Sequence, residues 1–197
     1  MELFMSFSEY RNRNEIGSKM FIKQFLVVSS LVAGFSHGGN WKVDPAESKI
    51  NFSIQGIFGT VHGHFSGLQA TIHFNEKDLS KSSLSAYVQA KTVSTGISLR
   101  NRDLRNKEEW LNTEKYPTIS FKSEKIEKTA IGYRVIGKLT IKGIERVVEI
   151  PFTFIGKAST GIFKGSFTIQ RLDYKLGKPG GSVGNTVTIE LDVPVNS

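Results

Sequence analysis

An antiparallel all-β barrel of about eight strands, interrupted by one short helical insert, is the fold this sequence predicts. Apolar and polar residues alternate with a period of two in about eight segments after residue 48. Turn signals rich in Gly, Asn and Asp fall between those segments. One stretch, RNRDLRNKEEWLNTEKY (100–116), abandons the alternation for charged residues at near-helical spacing.

The chain opens differently from the rest. From Met20 it runs MFIKQFLVVSSLVAGFSHGG, with Lys23 ahead of an apolar stretch from Phe25 to Phe35. A membrane-crossing helix needs ~20 apolar residues, and this stretch is roughly half that. Its layout is that of a secretory signal peptide, with Gly34 and Ser36 as small residues before a cut ahead of His37. A buried N-terminal helix or an amphipathic anchor is the alternative. Residues 1–36 are therefore expected to be an N-terminal extension and signal peptide, with Met20 as a second candidate start. Residues 37–197 form the working domain, periplasmic or secreted. The chain has no cysteine, which excludes disulfides, a thiol nucleophile and Cys-based zinc sites.

The strands follow in order. Ile50, Phe52 and Ile54 alternate with Asn51, Ser53 and Gln55. Leu68, Ala70, Ile72 and Phe74 alternate with Gln69, Thr71 and His73. Leu84, Ala86, Val88 and Ala90 make a third face, and Ile119 with Phe121 resumes the pattern after the insert. Tyr133, Val135, Gly137, Leu139 and Ile141 come next, then Val148, Ile150, Phe152 and Phe154. Phe163, Phe167 and Ile169 precede a last run with Val187, Ile189, Leu191 and Val193. Turns are expected at Asn75–Asp78, Ile131-Gly132, Lys142-Gly143, Thr160-Gly161 and Gly177–Gly184. One wet and one dry face per strand means antiparallel pairing. Such strands stack as a sandwich or close as a barrel, and a barrel this small holds packed side chains or one small ligand.

In the insert, Leu104, Trp110 and Leu111 supply an apolar stripe and leave Arg102, Arg105, Lys107 and Glu108 for water. Pro117 ends the helix and forces Tyr116 toward extended geometry. A helix between two strands plugs a barrel end or flanks a wall, so packing and gating both stay open.

Trp41-Lys42-Val43-Asp44-Pro45 with Ser48, then Asn51–Ile54, resembles the opening of the YceI-like family. Arg102-Asp103-Leu104 with Lys115–Phe121, Gly137–Gly143 and Arg171–Tyr174 are similar to that family's later signatures, in order, over nearly all of residues 41–195. The resemblance implies a lipocalin-like barrel, export, and binding of a polyisoprenoid or similar amphiphilic lipid inside the barrel. Arg105 and Lys142 stand where many relatives carry His, and Lys175 where an aromatic-Gly pair is usual. If those positions touch a head group, ligand preference differs here.

Candidate ligand-binding residues are the inward faces. They comprise Phe52 and Ile54 on the first strand, then Ala70, Ile72 and Phe74 on the second. Ala86, Val88, Ile119 and Phe121 flank the insert, and Val135, Gly137, Leu139 and Ile141 follow it. Phe152, Phe154, Phe167 and Ile169 complete the set. Large rings with small Ala and Gly can leave a dry tube, in which each buried CH₂ contributes ~0.8 kcal/mol. They can equally be a taper filled by its own side chains. The resemblance implies the cavity, and with it Ala86→Trp or Gly137→Trp should block uptake without unfolding. Arg102, Asp103, Leu104 and Trp110 are the candidates for a head-group contact or lid.

Signals for catalysis are poor. Gly34–Gly38 spells G-x-S-x-G but lies at the expected cleavage point. Gly132–Lys138 mimics a Walker loop with Leu139 where Ser or Thr belongs. His62, His64 and His73 could hold a metal, yet Gly63 and Gly67 suggest a bend there and no carboxylate falls nearby before Glu76. No cofactor, metal or catalytic residue is assigned.

The net charge of +8 favours phosphates. Interleaved acids, the lack of a nucleic-acid motif and export exclude a nucleic-acid partner and leave transient contact with an anionic membrane surface. The sequence sets no oligomeric state, so a homodimer stays open. The favoured function is an exported lipid-binding protein for transport, storage or sequestration. Its alternatives are a filled-core interaction protein and an enzyme on a lipid substrate that uses Arg102 and Asp103 or the histidines.

Overall fold

The computed structural model describes residues 39–197. The expected signal peptide, its cut before His37 and the start at Met20 lie outside the described residues. The strands are β1 (Gly39–Val43), β2 (Lys49–Gly56), β3 (Gly59–Phe65), β4 (Gln69–Phe74), β5 (Ser83–Gln89), β6 (Thr118–Thr129) and β7 (Gly132–Ile141). They continue as β8 (Ile144–Lys157), β9 (Thr160–Gln170) and β10 (Val183–Asn196), with one α-helix, α1 (Ser98–Asn106).

Their order in the sheet is β1-β4-β5-β6-β7-β8-β9-β10-β2-β3, and a second pairing, β1 with β10, closes it. β1 and β2 lie end to end along β10, with Val43 opposite Val195 and Lys49 opposite Asp192. β3 and β4 lie end to end against them, Phe65 opposite Ile50 and Thr71 opposite Lys42. Ten strands therefore build an antiparallel barrel with eight walls. Asp44 makes the corner between β1 and β2: its Oδ1 accepts the Ala46 and Glu47 amides (2.9 and 3.2 Å) and its carbonyl accepts the Ser48 hydroxyl. Asp at the head of such a corner competes with the ladder for local amides, which breaks the strand.

Two features differ from the sequence expectation. The stretch around Gly63 is an extended strand, β3, and not a bend; the bend falls at Gly67, whose φ is +73°. Gly63 serves instead to seat the Phe52 ring, which a Cβ there would strike. The helix is also shorter than expected, ending at Asn106 well before Pro117. Beyond it the chain doubles back, with the Leu111 amide on the Leu104 carbonyl (3.0 Å) and the Thr113 amide on that of Arg105 (2.7 Å). These bonds satisfy carbonyls that a helix end leaves open. They also bury Leu111 from a turn, so Trp110 and Leu111 form no helical stripe with Leu104. Arg105, expected in water, turns inward and donates to the Val93 carbonyl (2.8 Å).

The two barrel ends are unlike. One gathers residues 57–58, the long connection 90–117 with α1, 142–143 and 171–182; the other has only 75–82, 130–131 and 158–159. At the second end an aromatic plug fills the lumen. Phe74 meets Tyr133, Phe154, Phe163 and Phe152 edge-on at centroid distances of 5.0, 5.2, 5.4 and 5.7 Å. Trp41 packs on Phe154 at 5.0 Å. Edge-to-face contact of this kind adds roughly 0.5–1.5 kcal/mol per pair beyond burial.

Candidate functional site

Toward the α1 end the barrel holds a cavity of about 650 Å³. That falls within the roughly 300–1,000 Å³ typical of small-molecule sites. Phe52, Ile54, Ala70, Ala86, Ile119 and Phe167 face it and stay only half-buried, since their inner neighbour is open space. A filled taper would bury them. Ala70 and Ala86 are direct partners across β4 and β5, so two methyls meet where larger side chains would close the lumen.

The predicted set distributes unevenly. Ile72, Val88, Phe121, Val135, Leu139 and Ile141 line the buried part of the wall, with Ile169 on β9 and Phe152 at the floor. Phe74 and Phe154 do not line the cavity; their rings belong to the plug beneath it. Gly137 does not line it either, because the Phe121 ring covers it. Leu104, Trp110 and Asp103 stand at the mouth, whereas the Arg102 side chain is 67% exposed on the outer side of α1.

Other lining residues escaped the sequence reading. Val187, Ile189 and Leu191 of β10 line the wall, and their alternation was visible. Val93, Leu176 and Arg171 come from irregular connections, where no period marks an inward face.

Arg171 is the unusual group at this end. It is 3% exposed, and its donors go to backbone carbonyls alone: Gly184 (2.7 Å), Leu176 (2.5 Å), Lys178 and Val183 (both 3.1 Å). Burial lowers its pKa from the usual value. The Trp110 ring lies 6.0 Å away, and a Cβ on Gly177 would meet both groups at 2.8 Å. One guanidinium thus ties residues 176–184 over the edge of the mouth, and Gly177 lets them close in. Asp103 is held by Lys107 Nζ at 2.9 Å. Lys142 Nζ donates to the Lys175 carbonyl (3.0 Å), and neither of these lysines nor Arg105 lines the cavity. His62, His64 and His73 are exposed on the outer barrel face, and among the described residues no cluster of three metal-ligating side chains occurs.

The site is therefore a largely apolar tube open at the α1 end, with Arg100, Asp103 and Arg171 toward that end and Lys164 deeper along the wall, suited to an apolar chain with one polar end. Residues 41–195 match the family described as the YceI-like domain. A UPF0312 protein of Yersinia enterocolitica is 26% identical over 179 residues, 85% of this chain and 93% of the relative. One of Serratia proteamaculans is 30% identical over 132 residues, 66% of this chain and 68% of the relative. Among solved structures, BcnA of Burkholderia cenocepacia matches with a TM-score of 0.72 at 26% identity, over 77% of this chain and 98% of that one. A polyisoprenoid binding domain from Saccharophagus degradans, implicated in plant cell wall breakdown, matches at 0.63 and 16% identity, over 80% and 98%. That last likeness is one of fold alone. With a match spanning both the β1 corner and the closing strand, the chain belongs to the YceI-like family.

Proposed function

We propose that the protein binds a polyisoprenoid or similar amphiphile tail-first in the barrel, as an exported carrier or store. The observation that carries this is the one-ended apolar cavity of about 650 Å³. Its floor of Phe152 and Phe163 and walls such as Ile72 and Val135 offer a tail no hydrogen bonds and demand none. Arg100, Asp103 and Trp110 sit at the mouth, where a head group would rest. The Saccharophagus domain of the same fold, described as polyisoprenoid binding, supports the ligand class. Export rests on the apolar stretch Phe25–Phe35 and the small residues after it.

Binding rather than turnover is the role this lining supports, because its polar groups are few and its buried one, Arg171, is committed to backbone carbonyls. A direct test uses delipidated protein and quinones, which quench indole emission. A polyprenylated quinone should quench Trp110 at the mouth and saturate at one per chain, while the tail-less quinone should not. Equal quenching by both, or none by either, would contradict the proposal.

A further inference from the structure

Of the large apolar side chains exposed among the described residues, four gather at one end of the barrel, while Tyr87, Val147 and Ile155 stand on its walls and Ile131 at the plugged end. On the β2–β3 hairpin, Ile57 is 69% and Phe58 97% exposed, and beside the mouth Ile97 and Leu99 are 49% and 59% exposed. All four belong to the end where the cavity opens. The Ile57 amide bonds the Ser182 carbonyl (3.0 Å), so the hairpin tip is fastened to the loop that Arg171 organises. Ile97 and Leu99 themselves line the cavity, so the protruding residues run continuously into its wall.

Charge divides along the same axis. Leaving out Arg105 and Arg171, which turn inward, the connections at this end (57–58, 90–117, 142–143 and 171–182) hold eight Lys and Arg against five Asp and Glu. Those at the plugged end hold two of each. Arg100 and Arg102 follow Leu99 on α1, and Lys178 shares its loop with Ser182. An apolar tip within a cationic rim matches the boundary of an anionic bilayer, where headgroups attract the rim and acyl chains accept the tip. A second copy of this chain fits worse. It would bring two positive ends together, and four side chains on narrow tips fall short of the ~800 Å² per partner of a stable interface.

The geometry points to a membrane-docking end: the 57–58 tip and Ile97–Leu99 insert into an anionic phospholipid surface and set the cavity mouth against it. The plugged end faces water. This deepens the lipid-binding proposal, because a tail-first ligand then passes between bilayer and barrel without crossing water.

Since the chain has no cysteine, a single engineered one can be labelled cleanly. Phe58→Cys and Ile131→Cys, the latter at an 89% exposed tip on the plugged end, would each carry the polarity-sensitive dye NBD. With phosphatidylglycerol vesicles, NBD at position 58 should shift to the blue and brighten several-fold, and NBD at 131 should not change. Neutral phosphatidylcholine should leave both unchanged, and ~1 M salt, where screening acts within ~3 Å, should remove the shift. Unlabelled Phe58→Asp should co-sediment with phosphatidylglycerol vesicles several-fold less than the unchanged chain. A silent label at 58, or an equal shift at 131, would overturn the proposal. A shift at 58 that grows with protein concentration before any vesicle is added would replace it with self-association. The dye reports docking whether or not the barrel is loaded. A silent dye on a lipid-loaded barrel rejects docking alone, and a shifted dye on a barrel that refuses isoprenoids rejects the carrier alone.

Discussion

The Phe121 ring lies so close to Gly137, on the neighbouring strand, that a Cβ at position 137 would fall 2.6 Å from its Cζ and strike the Lys122 carbonyl as well. The bulge in the β6–β7 register between Ser123 and Lys125 occurs at this point. Gly137 is thus a seat for a ring that lines the cavity, and no part of the cavity wall itself.

Gly137→Ala is therefore expected to destabilise the fold, by about 1–3 kcal/mol as overpacking does. For a chain of this size that lowers Tm by roughly 2–4 °C per kcal/mol. Gly137→Trp should fail to fold, which corrects the expectation that it would merely block uptake. Thermal melts of both variants decide this, and an unchanged Tm for Gly137→Ala would contradict it.

Ala86 is a different case. It faces the cavity opposite Ala70, with room in front of it. Ala86→Trp should keep the far-UV dichroism of the barrel while lowering uptake of an apolar fluorescent probe at least tenfold. Undiminished uptake would mean that the probe binds elsewhere.

Arg171 ties four carbonyls together, and hydrogen bonds from a charged donor each contribute roughly 1.5–3 kcal/mol. Arg171→Met should cost on the order of 3 kcal/mol and speed amide exchange over residues 176–184 more than in the barrel walls. Arg171→Lys should not restore protection, since a point charge cannot replace the guanidinium fork. Full protection in the Lys variant would overturn the fork as the cause.

At high pH two tyrosines matter. Burial, aided by a 2.7 Å hydrogen bond to Glu76, pushes the Tyr133 pKa up to about 12. Burial takes Tyr174 to about 12 as well. In the unfolded chain both ionise near pH ~10, so the folded state holds its protons longer. Their contribution is complete below that pH and is lost as pH climbs toward the folded values, each adding up to ~1.4 kcal/mol per pH unit to the slope. Urea midpoints between about pH 10 and 12 should fall steeply, and less so for Tyr133→Phe with Tyr174→Phe. Equal slopes would contradict this.

The fold was legible because alternation survives wherever a strand separates water from a dry lumen. β7 keeps it without a break, with Tyr133, Val135, Leu139 and Ile141 all buried. β1 and β3 were missed since Trp41 stands beside a corner-forming Asp and Gly63 looks like a turn residue. Only the neighbouring Phe52 ring explains that glycine. Phe74 and Phe154 were placed in the cavity because alternation reports which face a residue is on, not its depth along the barrel. Arg171 belongs to a stretch that resembles a family signature, yet its role at the mouth depends on carbonyls from a loop that has no period.

The most direct measurement is native mass spectrometry of the protein purified without detergent from its own host, followed by organic extraction. One adduct per chain, extracting as a polyprenoid or a related amphiphile, is expected. A bare mass, in protein that also refuses added isoprenoid quinones, would contradict it.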